Sequence, residues 1–124
     1  MSQPATVNVT WEDQQSINTF GRLNSRKREL EEQLKEKKSE FENLDEANDE
    51  LALADEDDDF RLLVGEVFVT LKGDKAQAYV EAQKDTAEKE VSSLEEEIAK
   101  IVETLTKLKV QLYGKFGKEN INLD

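Results

Sequence analysis

The sequence contains neither cysteine nor histidine. Disulfide bonds, thiolate nucleophiles, imidazole bases and the usual zinc ligands are therefore excluded. Carboxylates are abundant, but the sequence predicts no pocket that would raise a carboxyl pKa for acid–base catalysis. We therefore expect a protein that is not an enzyme, with no catalytic residue, no metal site and no cofactor.

Helix-breaking residues are also scarce, with one proline and five glycines in 124 residues. Long uninterrupted helices are therefore allowed. Hydrophobic residues make up 36% of the chain and charged residues 37%, whereas charged residues are roughly 25% of an average globular domain. This composition predicts one elongated domain over residues 1–124 and argues against a thick, many-layered core.

Positive charge is in the minority, since 17 Lys and Arg stand against 29 Asp and Glu, for a formal net charge of −12. Such a surface repels nucleic-acid phosphates and anionic lipids, so we expect neither nucleic acid nor membrane as a partner. No stretch reaches the roughly 20 apolar residues that span a bilayer, and residues 1–10 carry no signal-peptide core. These absences predict a cytoplasmic protein.

Two long stretches carry apolar residues at alternating spacings of three and four, the pattern of a coiled coil. The first predicts a helix over about residues 11–53, with Thr10 as N-cap and Asp13 completing a capping box. The second predicts a helix over about residues 74–116. The seam residues are Phe20, Leu23, Lys27, Leu30, Leu34, Lys37, Phe41, Leu44, Asn48 and Leu51, then Val80, Lys84, Ala87, Val91, Leu94, Ile98, Ile101, Leu105, Leu108 and Leu112.

A single offset aligns the two seams if the chain doubles back, because facing residue numbers then always sum to 128. Leu30 then faces Ile98, and Phe41 faces Ala87. Helices of this length are not stable unpaired in water, and heptads alone also permit a parallel homodimer. The shared offset favours a mainly α fold, a long antiparallel two-helix coiled coil with a single β-hairpin between the helices.

The segment between the helices, about residues 60–71, is rich in β-branched and aromatic residues around Gly65. This composition predicts a β-hairpin with its turn at Gly65-Glu66. An isolated ribbon is marginal in water and exposes unpaired backbone on both edges. Strands of other subunits would cover it; alternatively, it folds back on the helix ends of a monomer. The predicted assembly residues are Leu62, Leu63, Val64, Gly65, Val67, Phe68 and Val69.

An acidic linker, about residues 54–59, precedes the hairpin. Its carboxylates, together with Glu66, match several ligand positions of an EF-hand loop, but Phe60 stands where that loop needs glycine. We therefore interpret the linker as a solvated connector.

Large apolar side chains gather at the predicted tip, where the two chain ends meet without a connecting loop. An uncovered apolar tip is typical of a surface that binds other proteins, although Ile17 and Leu112 fit better as the last layers of the coiled coil. A short tail, residues 117–124, follows. The predicted client-binding residues are Trp11, Ile17, Phe20, Leu112, Tyr113 and Phe116.

Three segments resemble the prefoldin family: VNVTWEDQQSINTF at residues 7–20, VGEVF at 64–68, and LKVQLYGKFG at 108–117 followed by NINL at 120–123. A single hairpin is the mark of its β-type subunits. Trp11 stands where the family usually has Phe, and Gly114 where Ala is common.

The resemblance implies a hetero-hexamer, in which this chain joins two α-type and three further β-type subunits through their hairpins. It also implies that the coiled-coil tips hold unfolded actin and tubulin without ATP and pass them to the cytosolic chaperonin. A static coiled-coil scaffold or tether would explain the helices but neither the hairpin nor the apolar tip. We therefore predict a holdase subunit.

Overall fold

The computed structural model describes residues 8–123 and consists of two long helices joined through a β-hairpin. Helix α1 spans Trp11–Ala52, strand β1 Asp59–Val64, strand β2 Val67–Lys72 and helix α2 Gly73–Phe116. The predicted fold class is confirmed, and each element begins and ends within one residue of its predicted bounds. Within the described range, no helix is long and apolar enough to cross a membrane.

Helix α1 begins at the predicted capping box. The backbone N–H of Asp13 donates to Oγ1 of Thr10 at 3.1 Å, and the N–H of Thr10 donates to Oδ2 of Asp13 at 2.9 Å. These two bonds satisfy backbone donors that the start of a helix leaves without intrahelical partners. Aspartate therefore performs the task for which glutamate is the commoner residue.

The chain divides into two compact units. We call the described residues 8–32 and 95–123 the terminal unit, and residues 33–94 the hairpin unit. In the hairpin unit, Nζ of Lys37 lies 2.7 Å from Glu90, and Nζ of Lys84 lies 2.6 Å from Asp45. Residue numbers fall along α2 as they rise along α1, so the helices are antiparallel here. Each contact lies one residue from the predicted offset.

The terminal unit is antiparallel as well. Lys115 pairs with Asp13 at the predicted offset, whereas Arg26 reaches Glu97 at 3.6 Å instead of residue 102. Its buried apolar residues continue both predicted seams and add one residue beyond α2. These are Phe20, Leu30, Ile101, Leu105, Leu112, Phe116 and Leu123.

The core of the hairpin unit sits where the hairpin meets the helices. Leu51, Ala76 and Val80 are buried together. Partly buried side chains from the helices and from both strands pack against them: Leu44, Ala47, Phe60, Leu62, Leu71 and Tyr79. The base of the hairpin is therefore anchored on the helices through one of its faces.

Two glycines are required by the backbone around the hairpin. Gly65 has a φ of 64°, and among the described residues only glycines have a positive φ. A two-residue turn with glycine at the first position is typical of type II′, which suits the twist of a hairpin. Gly73, at the start of α2, lies against the linker; a Cβ there would be 2.5 Å from the carbonyl oxygen of Asp55.

Candidate protein-binding surfaces

The outer face of the hairpin is apolar and exposed. Strand register places Leu63 opposite Phe68, and their side chains are 59% and 60% exposed. The guanidinium of Arg61 lies 4.8 Å from the centre of the Phe68 ring, within the range of a cation–π contact. An exposed apolar patch of this kind is typical of a surface that binds another protein, because covering the patch removes apolar side chains from water.

The inner face is covered only at its base. Phe60, Leu62 and Leu71 contact the helices, but Val67, next to the turn, remains largely exposed, and Val69 is also accessible. The sheet formed by the described residues has two strands only. Both edges therefore present backbone groups to which a further strand could bind.

An ion pair joins the two strands at the base of the hairpin. Asp59 and Lys72 are opposite each other in the register, and Nζ of Lys72 lies 2.8 Å from Oδ1 of Asp59. The same ammonium donates to the carbonyl oxygen of Asp57 at 3.2 Å. The hydrogen bond to Asp59 is the main reason that the pKa of Lys72 lies above its ordinary value of 10.5.

The linker before the hairpin shows no metal-binding arrangement. Among residues 8–123, no group of three or more carboxylates is placed to hold a metal ion. Asp58 and Asp55 close a turn through a backbone hydrogen bond of 3.2 Å, and the carbonyl of Asp58 then accepts from the N–H of Gly73 at 2.9 Å. Residues 55–59 are exposed, and backbone hydrogen bonds hold the linker at the start of α2.

The predicted tip residues differ widely in exposure. Trp11, the first residue of α1, is 73% exposed. Tyr113 is half-buried, and the ammonium groups of Lys109 and Lys118 each lie 5.7 Å from the centre of its ring. The indole of Trp11 is thus the most accessible of the predicted client-binding groups.

The remaining tip residues lie largely within the terminal unit. Phe20 and Leu112 are buried, and Ile17 is half-buried. Phe116 is only 8% exposed, although the sequence favoured it as a surface contact. In the isolated chain, these side chains pack the end of the helix pair instead of facing solvent.

A carboxylate joins the start of α1 to the end of α2. Lys115 donates a hydrogen bond to Oδ2 of Asp13, the same oxygen that accepts from the N–H of Thr10. The bond from Lys115 is the main reason that the pKa of Asp13 lies below its ordinary value of 3.8, and the Thr10 bond adds to it. Sequence patterns predicted the cap but not this bridge.

A groove of about 490 Å³ runs along the terminal unit. Its walls come from both helices and from Leu123 of the tail. The lining residues are Phe20, Asn24, Lys27, Arg28, Glu31, Val102, Leu105, Thr106, Lys109 and Leu123. No periodic pattern in the sequence indicated that Leu123 would belong to this surface, because it lies outside both helices.

Two long helices joined by a β-hairpin with an exposed apolar face define a class of helical-hairpin proteins. The sequence matches the prefoldin subunit family over residues 14–119. The chain belongs to that family.

Similar sequences carry the same family name in several organisms. Prefoldin subunit 4 of Homo sapiens is 43% identical over 121 residues, which cover 95% of this chain and 88% of the human protein. Prefoldin subunit 4 of Saccharomyces cerevisiae is 37% identical, over 98% of this chain and 94% of the yeast protein. A probable prefoldin subunit 4 of Drosophila melanogaster is 38% identical, over 95% of this chain and 85% of the Drosophila protein.

The fold is similar to that of the prefoldin beta subunit from Thermococcus strain KS-1, with a TM-score of 0.76. The match covers 90% of this chain and 97% of that subunit, at 22% sequence identity. The likeness in fold therefore extends over both helices and the single hairpin.

Proposed function

We propose that this chain is one subunit of a cytoplasmic hetero-hexamer, assembled with two α-type and three further β-type prefoldin subunits. The hexamer binds unfolded proteins without ATP and without catalysing a reaction. Family membership and the single hairpin support the assignment to the β type. The clients are unfolded actin and tubulin, which the hexamer passes to the cytosolic chaperonin.

The observation that carries the proposal is the exposed outer face of the hairpin. Leu63 and Phe68 form an apolar pair on a two-stranded ribbon whose edges are unpaired. Closing such ribbons into a shared barrel removes the edges and covers the apolar side chains together. The assembly residues are Leu62, Leu63, Val64, Gly65, Val67, Phe68 and Val69.

Client binding belongs to the tip of the terminal unit in this proposal. Trp11 offers a large, rigid side chain that contacts a client without rearrangement. The half-buried Tyr113 and Ile17 extend that surface. Phe20, Leu112 and Phe116 contribute where the end of the helix pair loosens to admit a client, because they are buried in the isolated chain.

Reconstitution tests assembly and client binding separately. When denatured actin is diluted from denaturant, the hexamer containing this chain should suppress the aggregation of the actin. Leu63→Ser with Phe68→Ser should prevent incorporation into the hexamer, whereas Thr70→Ser on the same face should assemble normally. Incorporation of the double variant at the wild-type level would contradict the role of the hairpin.

The client surface is tested in the assembled hexamer. Trp11→Ser with Tyr113→Ser should leave assembly intact and reduce suppression of actin aggregation several-fold. Phe116 is left unchanged, because replacing a buried side chain would confound binding with stability. A hexamer of normal mass whose suppression is unchanged would contradict the assignment of client binding to this tip.

A further inference from the structure

The tail after α2 has a defined path. Gly117 has a φ of 80°, and its N–H donates to the carbonyl oxygen of Tyr113 at 2.8 Å. The side-chain Nδ2 of Asn120 donates to the carbonyl oxygen of Phe116 at 2.8 Å. The backbone N–H of Asn120 donates to the carbonyl oxygen of Gly117 at 3.2 Å. A glycine in the left-handed region ends a helix and turns the chain. The tail is therefore directed away from the helix axis.

The tail runs back along the terminal unit. Leu123 lines the groove together with Leu105 and Phe20. Residues 118–120 form a turn, and residues 121–123 continue from it to the level of Leu105, about three helical turns before Phe116. Leu123 is 7% exposed there, as buried as a core side chain.

Leu123 fills only part of this surface, and about 490 Å³ beside it remains open. Val102, which also lines the groove, is 43% exposed although it is apolar. Three basic side chains and one carboxylate also line the groove, in a chain whose net charge is −12. They are Lys27, Arg28, Lys109 and Glu31, and Nζ of Lys27 lies 3.9 Å from Glu31. An apolar strip bordered by cations is complementary to aliphatic side chains flanked by carboxylates.

We propose that this groove binds a client segment in which a large aliphatic side chain is flanked by carboxylates, and that Leu123 occupies its apolar part until that segment displaces the tail. The proposal rests on the proposed function and names the kind of client segment that the terminal unit selects. The burial of Leu123 in the lining shows that the groove accommodates an aliphatic side chain.

Release of the docked tail costs little free energy. Burial of one large side chain favours docking, but ordering the residues that carry it opposes docking. A docked segment of this kind can therefore open locally without unfolding the helices. A client with carboxylates on both sides of its aliphatic side chain competes with Leu123, which Asn122 precedes and Asp124 follows in the sequence.

The absence of cysteine allows the tail to be followed with a single thiol. In the assembled hexamer, Leu123→Cys reports how often the tail leaves the groove, through its rate of alkylation read on this chain by mass spectrometry. The probe is a peptide with leucine between aspartates; its matched control has lysine in place of aspartate. The aspartate peptide should speed alkylation several-fold, and the lysine peptide should not.

Two controls locate the effect. Glu119→Cys, an exposed position in the same tail, should react rapidly with or without the peptide. Arg28→Glu should weaken the effect of the aspartate peptide several-fold, whereas Arg22→Glu, outside the groove lining, should not. An aspartate peptide that leaves the alkylation of Leu123→Cys unchanged, or slows it, overturns the proposal.

Actin aggregation measured on the same hexamer separates this inference from the proposed function. Peptide-dependent alkylation without suppression of aggregation would support the groove and contradict the holdase role. Suppression of aggregation with alkylation unchanged by either peptide or unfolded actin would support the holdase role and overturn the groove.

Discussion

Lys115, near the end of α2, donates a hydrogen bond to Asp13, the carboxylate that also caps the start of α1. The carboxylate of Asp13 thus caps the start of α1 and also accepts a hydrogen bond from the last turn of α2. Helix ends fray when their terminal groups lack partners. The bridge therefore orders the region from which Trp11 projects.

The cap at Thr10 should contribute measurably to stability. Thr10→Ala removes the hydroxyl that accepts from the N–H of Asp13, and the loss of such a cap costs about 1 kcal/mol. Chemical denaturation monitored by circular dichroism measures the change in free energy of unfolding. Thr10→Ser retains the hydroxyl and should behave almost like the wild type; an equal loss in both variants would contradict the role of the cap.

The Asp13–Lys115 bridge should be lost in acid. Because folding lowers the pKa of Asp13 from 3.8, its contribution to stability is present above that value and disappears as the pH falls through the lower, folded pKa. Lys115→Gln should therefore melt below the wild type at neutral pH, and the difference should shrink below about pH 4. A melting difference that stays constant into acid would contradict the bridge.

Two classes of glycine should respond in opposite ways to alanine. At Gly73 the added Cβ would lie 2.5 Å from a backbone oxygen, so Gly73→Ala should destabilise the chain by roughly 1–3 kcal/mol through overpacking. At Gly21 and Gly114 nothing lies within 4 Å of the new atom. There, alanine should stabilise the helix by about 1 kcal/mol. Equal effects at the three positions in denaturant unfolding would contradict this distinction.

Asn48 places an amide in the apolar seam of α1. Its Oδ1 is buried without a hydrogen-bond partner among the described residues, and such an acceptor costs about 1–3 kcal/mol. Asn48→Leu should therefore raise the melting temperature, whereas Asn43→Leu, at an exposed position five residues earlier, should change it little. A lower melting temperature for Asn48→Leu would indicate that the amide stabilises the pairing of the helices.

Periodicity predicted the regular part of the fold closely. The spacing of apolar residues predicted α1, α2 and their antiparallel pairing, and β-branched residues around Gly65 predicted the hairpin and its turn. These features follow from local patterns that repeat many times. The strand register places Leu63 and Phe68 on the face opposite Leu62 and Val64, as the alternation of side chains along a strand requires.

The irregular parts were less predictable. The tail is too short to show a period, so the burial of Leu123 in the groove depends on a tertiary contact that no spacing reveals. The close approach of Gly73 to Asp55 likewise depends on the path of the linker. Phe116 continues the seam of α2 past Leu112, so its burial follows from the same periodicity when that seam is extended by one turn.

The mass of the native complex purified through this chain tests the account most directly. Native mass spectrometry should show one copy of this chain in a hexamer with two α-type and three other β-type prefoldin subunits, and Leu63→Ser with Phe68→Ser should be absent from it. A wild-type chain recovered only as a monomer or as a homodimer would contradict the account.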